Sequence, residues 1–187
     1  MTEKKLRTLT GSESKEGFFE TQIIVPDKSY TDIAEWVANE ITMSGSMLPK
    51  STDDILEMFD CSRSVVLVDG SGKPVAHAGI TFVYSDEKVV EVGGVVVDRS
   101  HRKKGLGKEI VQASIDLANL QYPGWKKIAL CNEQSLPIYL SLGSTVMEID
   151  DINIIPKEAW EACLSCPNYI ETKKKGKICC DTLVLVP

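Results

Sequence analysis

Long apolar runs are missing from this chain of 187 residues, and so is any excess of positive charge. No stretch approaches the roughly 20 apolar residues that a membrane-spanning helix needs, so no membrane partner is expected. The first residues, Met1-Thr2-Glu3-Lys4-Lys5, lack the apolar core of an export signal. The expected location is therefore cytoplasmic. Lysine and arginine number 21 against 27 aspartates and glutamates, a net charge of −6 that argues against a nucleic-acid partner. There is no internal repeat and no low-complexity linker. Six cysteines in a cytoplasmic chain are expected as thiols or metal ligands, not as a disulfide framework.

What the chain does have is regular apolar patterning. At 43% apolar and 26% charged residues it has the composition of an ordinary soluble domain. Residues 1–17 are polar and without periodicity, a flexible tail ahead of a single domain over residues 18–187. Residues 18–25 read as a first strand. Residues 29–42 read as an amphipathic helix with Ser29 and Asp32 at capping-box spacing. Met43-Ser44-Gly45-Ser46 breaks it, and Ser51-Thr52-Asp53-Asp54 opens a second helix that ends near Phe59. Residues 64–68 and 75–84 are expected strands joined by Asp69-Gly70-Ser71-Gly72, a hairpin signal. Residues 89–97 are apolar on both sides apart from Glu91, as in a central strand. A long helix, a strand over 125–131, a short helix over 134–142 and a sixth strand over 145–149 follow. After Asp151 the pattern changes: Pro156 opens a helix to about Leu164, and residues 178–186 read as a last strand able to pair with the sixth. The 151–177 excursion between them is read as either a homodimer contact or a lid.

The junction of the central strand and the long helix carries the chemistry. Val95-Val96-Val97 leads into Arg102-Lys103-Lys104-Gly105-Leu106-Gly107-Lys108, and Ile110, Ala113, Leu117 and Leu120 continue from Leu106 as one helical stripe. A helix start presents free N–H groups and roughly half a positive elementary charge, and two glycines let an anion approach the main chain. In an acidic chain, this basic knot points to a phosphate or diphosphate. The Walker pattern fails, because Glu109 follows Lys108 where Ser or Thr is required. The dinucleotide fingerprint fails too, with Ile110 in place of its third glycine.

What remains, Arg102-x-x-Gly105-x-Gly107 after Val97, resembles the phosphate turn of the GNAT superfamily of N-acetyltransferases. A second signature agrees: Asn132, Ser135, Tyr139 and Gly143 follow the next strand at the family's spacing, and only Ser144 departs, where Phe is usual. The resemblance implies a mixed, partly antiparallel α/β sheet of six to seven strands with helices on both faces. It implies acetyl-coenzyme A as donor and an amine, on a small molecule or a peptide, as acceptor. The pantetheine arm is then expected beside Val95, Val96 and Val97, with a bulge that aims one amide at the thioester carbonyl. Arg102, Lys103, Lys104, Gly105, Leu106, Gly107 and Lys108 would hold the diphosphate. Asn132 and Ser135 would contact the coenzyme, Asn132 while also capping the following helix. Tyr139 stands at the family's acid position, near the coenzyme sulfur, or is simply core. Glu91 stands where histone-acetylating members carry a general base, and an apolar strand should raise its pKa. The alternatives for Glu91 are a solvated strand edge or contact with a cationic substrate alone; the alternative for the whole chain is an acyl-coenzyme A sensor without catalysis.

Other candidates carry less. His77, between Ala76 and Ala78, reads as a satisfied structural histidine, and nothing gives His101 a proton to move. Cys61 and Cys131 read as core fillers. Cys163-x-x-Cys166 with Cys179-Cys180 is weighed as a zinc site and set aside for buried thiols, since adjacent residues on a strand face opposite ways. No metal is expected.

Overall fold

The computed structural model describes residues 21–147 and 182–187. The order is β1 (Thr21–Ile24), α1 (Thr31–Ser44), α2 (Thr52–Asp60), β2 (Ser64–Asp69), β3 (Pro74–Tyr84), β4 (Val89–Val97), a 3-10 turn (Arg99–His101), α3 (Leu106–Gln121), β5 (Lys126–Cys131), α4 (Leu136–Ser141), β6 (Thr145–Val146) and β7 (Thr182–Val186). Among the described residues these strands form one seven-stranded sheet ordered β1-β2-β3-β4-β5-β7-β6. Its neighbours run antiparallel except at β4–β5. Helices cover both faces because successive residues of a strand point opposite ways. Val65 and Leu67 of β2 pack with α3, while Val66 and Val68 pack with α1 and α2.

The same alternation exposes a slip in β4. Val90 and Val92 belong to the α3 face, yet Val96, four residues on, belongs to the α1 face, with Val95 and Val97 turned to α3. An even step cannot change face without an extra residue. The register supplies it: Gly93 pairs with Gly79 and Val96 with His77, so Gly94 and Val95 together oppose Ala78. This is a β-bulge, and Gly94 takes the left-handed backbone, φ +64°, that a glycine permits.

Several local expectations are met and several are corrected. Ser51 and Asp54 form a complete capping box at α2. The box expected from Ser29 and Asp32 does not form, and α1 begins at Tyr30 without a side-chain cap. Asp27 is the reason: its Oδ1 accepts from both the Ser29 amide (2.8 Å) and the Ser29 hydroxyl (2.6 Å), so the hydroxyl is spent one turn early. β7 does pair with the sixth strand, but it lies between β5 and β6 and takes its longer ladder from β5. Cys61 is exposed at the end of α2, beyond that helix's buried face, whereas Cys131 is buried as expected. Residues 1–17, the 151–177 excursion and the four cysteines at 163, 166, 179 and 180 lie outside the described residues. Among the described residues no helix is long and apolar enough to cross a membrane, and no group of His, Cys, Asp or Glu is gathered as for a metal ion.

Candidate active site

The parallel ladder between β4 and β5 is short: Val89, Val90 and Glu91 face Lys126, Lys127 and Ile128, and it stops there. β4 runs on to Val97 with β3 alone among the described residues. The two strands therefore part, and a cavity of about 750 Å³ occupies the fork. It is lined by Glu91, Val95, Val96, Val97, Arg102, Lys103, Gly105, Leu106, Gly107, Lys108, Asn132, Ser135 and Tyr139. Of the residues expected to contact the coenzyme or act in catalysis, Lys104 is the one that does not line it.

At one end lies the basic turn. Asp98 organises its entry by accepting from the amide and hydroxyl of Ser100 and from His101 Nδ1 at 2.9 Å. Those hydrogen bonds, Ser100's foremost, hold the Asp98 carboxyl down at about 2. His101 is thus tied to the turn and is given no proton-transfer task. Gly105 adopts φ +84° and caps α3. Among the described residues the amides of Gly105, Leu106 and Gly107 meet no backbone acceptor. The expected cradle is shorter than the sequence suggests, because the Lys108 amide (3.0 Å) and the Glu109 amide (3.2 Å) donate to the Gly105 carbonyl. Gly107 is there for closeness: a Cβ on it would meet Ile138 Cδ1 of α4 at 3.1 Å. Two of the basic side chains fold back on the protein, with Arg102 Nε donating to Val97 O at 3.1 Å and Lys108 Nζ to Ser141 O at 3.2 Å.

Along the β5–α4 wall, Asn132 Oδ1 accepts from the amides of Gln134 and Ser135, both at 3.0 Å, and Ser135 Oγ accepts from the Asn132 amide at 3.0 Å. The two side chains close each other's turn just ahead of α4. The N-cap of that helix is Ser135, without a side-chain cap, so the helix cap expected of Asn132 is replaced by a turn one step earlier. Tyr139 is buried, and its hydroxyl donates to the Val92 carbonyl at 2.9 Å, at the point where β4 leaves β5. Burial, and the neighbouring Cys131 and Glu91, push its pKa above the ordinary tyrosine value.

Glu91 stands at the last rung of the β4–β5 ladder, with its side chain on the cavity wall. Burial raises its carboxyl to about 7, while Thr81 and the charge of Lys50 act in the opposite sense. Lys50, which the sequence gave no reason to single out, lines the same wall with Nζ 5.3 Å from the centre of the Phe82 ring. The nearby Cys131 thiol is pushed up to about 11 by burial and so is held as a thiol. His77 is fully buried and hydrogen-bonded at both nitrogens, as expected.

A sheet that forks beside a helix N-terminus, with a carboxylate in the fork, is the arrangement to set against known proteins. The model of the acetyltransferase (GNAT) family matches residues 30–143, and the chain belongs to that family. The UPF0039 protein C11D3.02c of Schizosaccharomyces pombe is 28% identical over 80 residues, which is 42% of this chain and 52% of that one. The match thus spans about half of the curated relative's length. N-acetylglutamate synthase of Neisseria gonorrhoeae, solved with coenzyme A and N-acetyl-glutamate, superposes with a TM-score of 0.64 at 14% identity, over 92% of this chain and 36% of its own. Rv2747 of Mycobacterium tuberculosis, solved with CoA and NLQ, gives 0.61 at 17% identity over 88% and 97%. The yncA protein of Salmonella typhimurium, with its cofactor acetyl-CoA, gives 0.55 at 23% identity over 69% and 82%. At these identities the likeness is one of fold.

Proposed function

We propose that residues 18–187 form one N-acetyltransferase domain that moves an acetyl group from acetyl-coenzyme A directly to a primary amine within a ternary complex. The observation that carries the reading is the fork itself: an apolar cavity with a raised-pKa carboxylate at its closed end and unpaired amides at its basic end. Acetyl-coenzyme A, bound by related structures, would supply the acetyl group as a thioester.

This chain's residues have distinct tasks. The Gly105, Leu106 and Gly107 amides, with the charges of Arg102, Lys103, Lys104 and Lys108, hold the diphosphate. Val95 to Val97 offer main-chain hydrogen bonds alongside the pantetheine arm, and Asn132 offers its side-chain nitrogen. Glu91 takes the proton from the incoming ammonium. At about 7 it is ionised for half the molecules near neutral pH, the range in which a general base works best. Tyr139 serves as the acid: its hydroxyl turns from the Val92 carbonyl to protonate the departing sulfur. The second proton that the amine nitrogen releases as the amide forms restores the phenol, whose pKa burial raises.

A second reading, an acyl-coenzyme A sensor without turnover, draws support from the Tyr139 hydroxyl being engaged by Val92. Two measurements separate them. Acetyl-coenzyme A should raise the melting temperature, by linkage worth about 2.7 kcal/mol at a hundredfold excess over Kd. Free thiol should then appear only when an amine from a panel of amino acids, polyamines and lysyl peptides is added. A raised melting temperature with no thiol release for any amine would favour the sensor.

A further inference from the structure

The bulge in β4 is held by a side chain that the reaction has not yet used. His77 Nδ1 lies 2.9 Å from the Gly94 carbonyl oxygen and Nε2 lies 3.2 Å from Ser64 Oγ. A carbonyl oxygen can only accept, so Nδ1 carries the hydrogen. Nε2 of the neutral ring is then the acceptor, and Ser64 donates to it. Full burial holds the imidazole well below its usual value, at about 4, which keeps this neutral tautomer throughout the working range. The ring is fixed from the side as well, with the Phe59 ring 6.5 Å away and no exposed surface.

The geometry of the peptide group gives this contact a consequence. The Gly94–Val95 peptide is trans, and in a trans peptide the C=O and the N–H point in opposite directions. His77 belongs to β3, so the Gly94 carbonyl is drawn toward β3. The Val95 N–H must point the other way, across β4 to the side where the β5 ladder has ended, and Val95 lines the cavity there. We infer that the Ser64–His77–Gly94 chain is a positioning device: it sets the direction of the Val95 amide, so that this amide is aimed in advance at the acyl oxygen of the bound thioester. Ser64, on β2 and so two strands from β4, thereby acts on the reacting carbonyl through His77 and one peptide plane. A glycine at 94 completes the device, since its φ of +64° is what lets the carbonyl turn.

The inference rests on the transferase reading only in requiring an acyl-coenzyme A ligand, and a test can be read without an acceptor amine. The probe is acetyl-coenzyme A carrying a carbonyl 13C label, bound to the full chain, with the thioester stretching frequency measured by infrared difference spectroscopy. The wild-type protein should lower that frequency relative to free ligand. The amide nitrogen of Asn occupies about the place of a histidine Nδ1 and that of Gln the place of Nε2. His77→Asn should therefore keep most of the shift, while His77→Gln and His77→Leu should lose it. Turnover, with any amine that proves to be a substrate, should fall roughly tenfold to a hundredfold in His77→Gln and His77→Leu, with the KM for acetyl-coenzyme A changing about twofold, since misaiming an oxyanion donor costs somewhat less than the 10²–10³ of deleting one. Ser64→Ala, the gentler change, should give a partial loss of shift even if a His77 variant fails to fold. Equal frequencies in wild type and Ser64→Ala, or equal behaviour of the Asn and Gln variants, overturn the inference. A shift that Ser64→Ala and His77→Gln lose, in a protein that acetylates no amine, supports the His77 assignment while overturning the transferase reading.

Discussion

Val89, Val90 and Glu91 sit between two partners, opposite Tyr84, Val83 and Phe82 on β3 and Lys126, Lys127 and Ile128 on β5, whereas Val92 to Val97 keep β3 alone among the described residues. Valine dominates both halves, and what sets them apart in sequence is Glu91 in the first and Gly93-Gly94 in the second. In structure the difference lies in the backbone. β3 slips by one residue at Thr81, β4 slips at Gly94, and the Val92 carbonyl at the fork is answered by the Tyr139 hydroxyl, which arrives from α4. One half of the strand is thus a structural member, and the other is the half proposed to carry the coenzyme. A strand becomes a binding edge when a partner is withdrawn and its polar groups remain.

That contrast can be attacked at each point, beginning with the largest expected effect. Glu91→Gln removes the proposed base and should lower kcat/KM by about 10²–10⁴ in a thiol-release assay, the usual share of a positioned base. The same variant tests stability. The folded pKa of Glu91 lies above its unfolded value, so the protonated form favours folding below about pH 4.5 and that advantage is lost as pH rises through about 7. Wild-type melting temperature should therefore fall between pH 5 and pH 8, and Glu91→Gln should flatten that part of the curve.

Tyr139→Phe comes next, and it strikes the fork. It should destabilise the fold by about 1–3 kcal/mol in urea titrations, the cost of leaving a buried carbonyl unanswered. Turnover should fall with it, and an unchanged rate would remove Tyr139 from the chemistry. Gly105→Ala meets nothing within 4 Å, so only its φ of +84° is penalised. The strain, about 1–2 kcal/mol, should appear as roughly tenfold weaker acetyl-coenzyme A binding by calorimetry. The smallest effect belongs to Lys50→Met. Its charge lowers the Glu91 pKa, so removing it should move the acidic limb of the kcat/KM profile to higher pH.

Much of the ligand-facing half was legible in the sequence because its signals are local. The Arg102-x-x-Gly105-x-Gly107 turn and the Asn132, Ser135, Tyr139, Gly143 spacing each lie within a dozen residues, and all but Gly143 line the cavity. The insertion of β7 between β5 and β6 was not legible, because the strand joins the sheet across a long stretch of chain and its apolar pattern suits either neighbour. Lys50 and Thr81 carry no pattern at all, and reach Glu91 only through folding. The role of Ser29 was misjudged for a competing local reason, the carboxylate of Asp27 two residues upstream. Cys61 was misjudged because residue type stood in for position: it follows the last buried turn of α2.

The central claim is that the opened half of β4 and the turn after it hold the coenzyme. Amide chemical shifts of the 15N-labelled chain during titration with acetyl-coenzyme A test this directly. The account predicts the largest changes at Gly105, Leu106 and Gly107 and at Val95, Val96 and Val97, with Val89 and Val90 nearly still. Saturable binding that leaves the Gly105–Gly107 amides unmoved, or no binding at all, would contradict it.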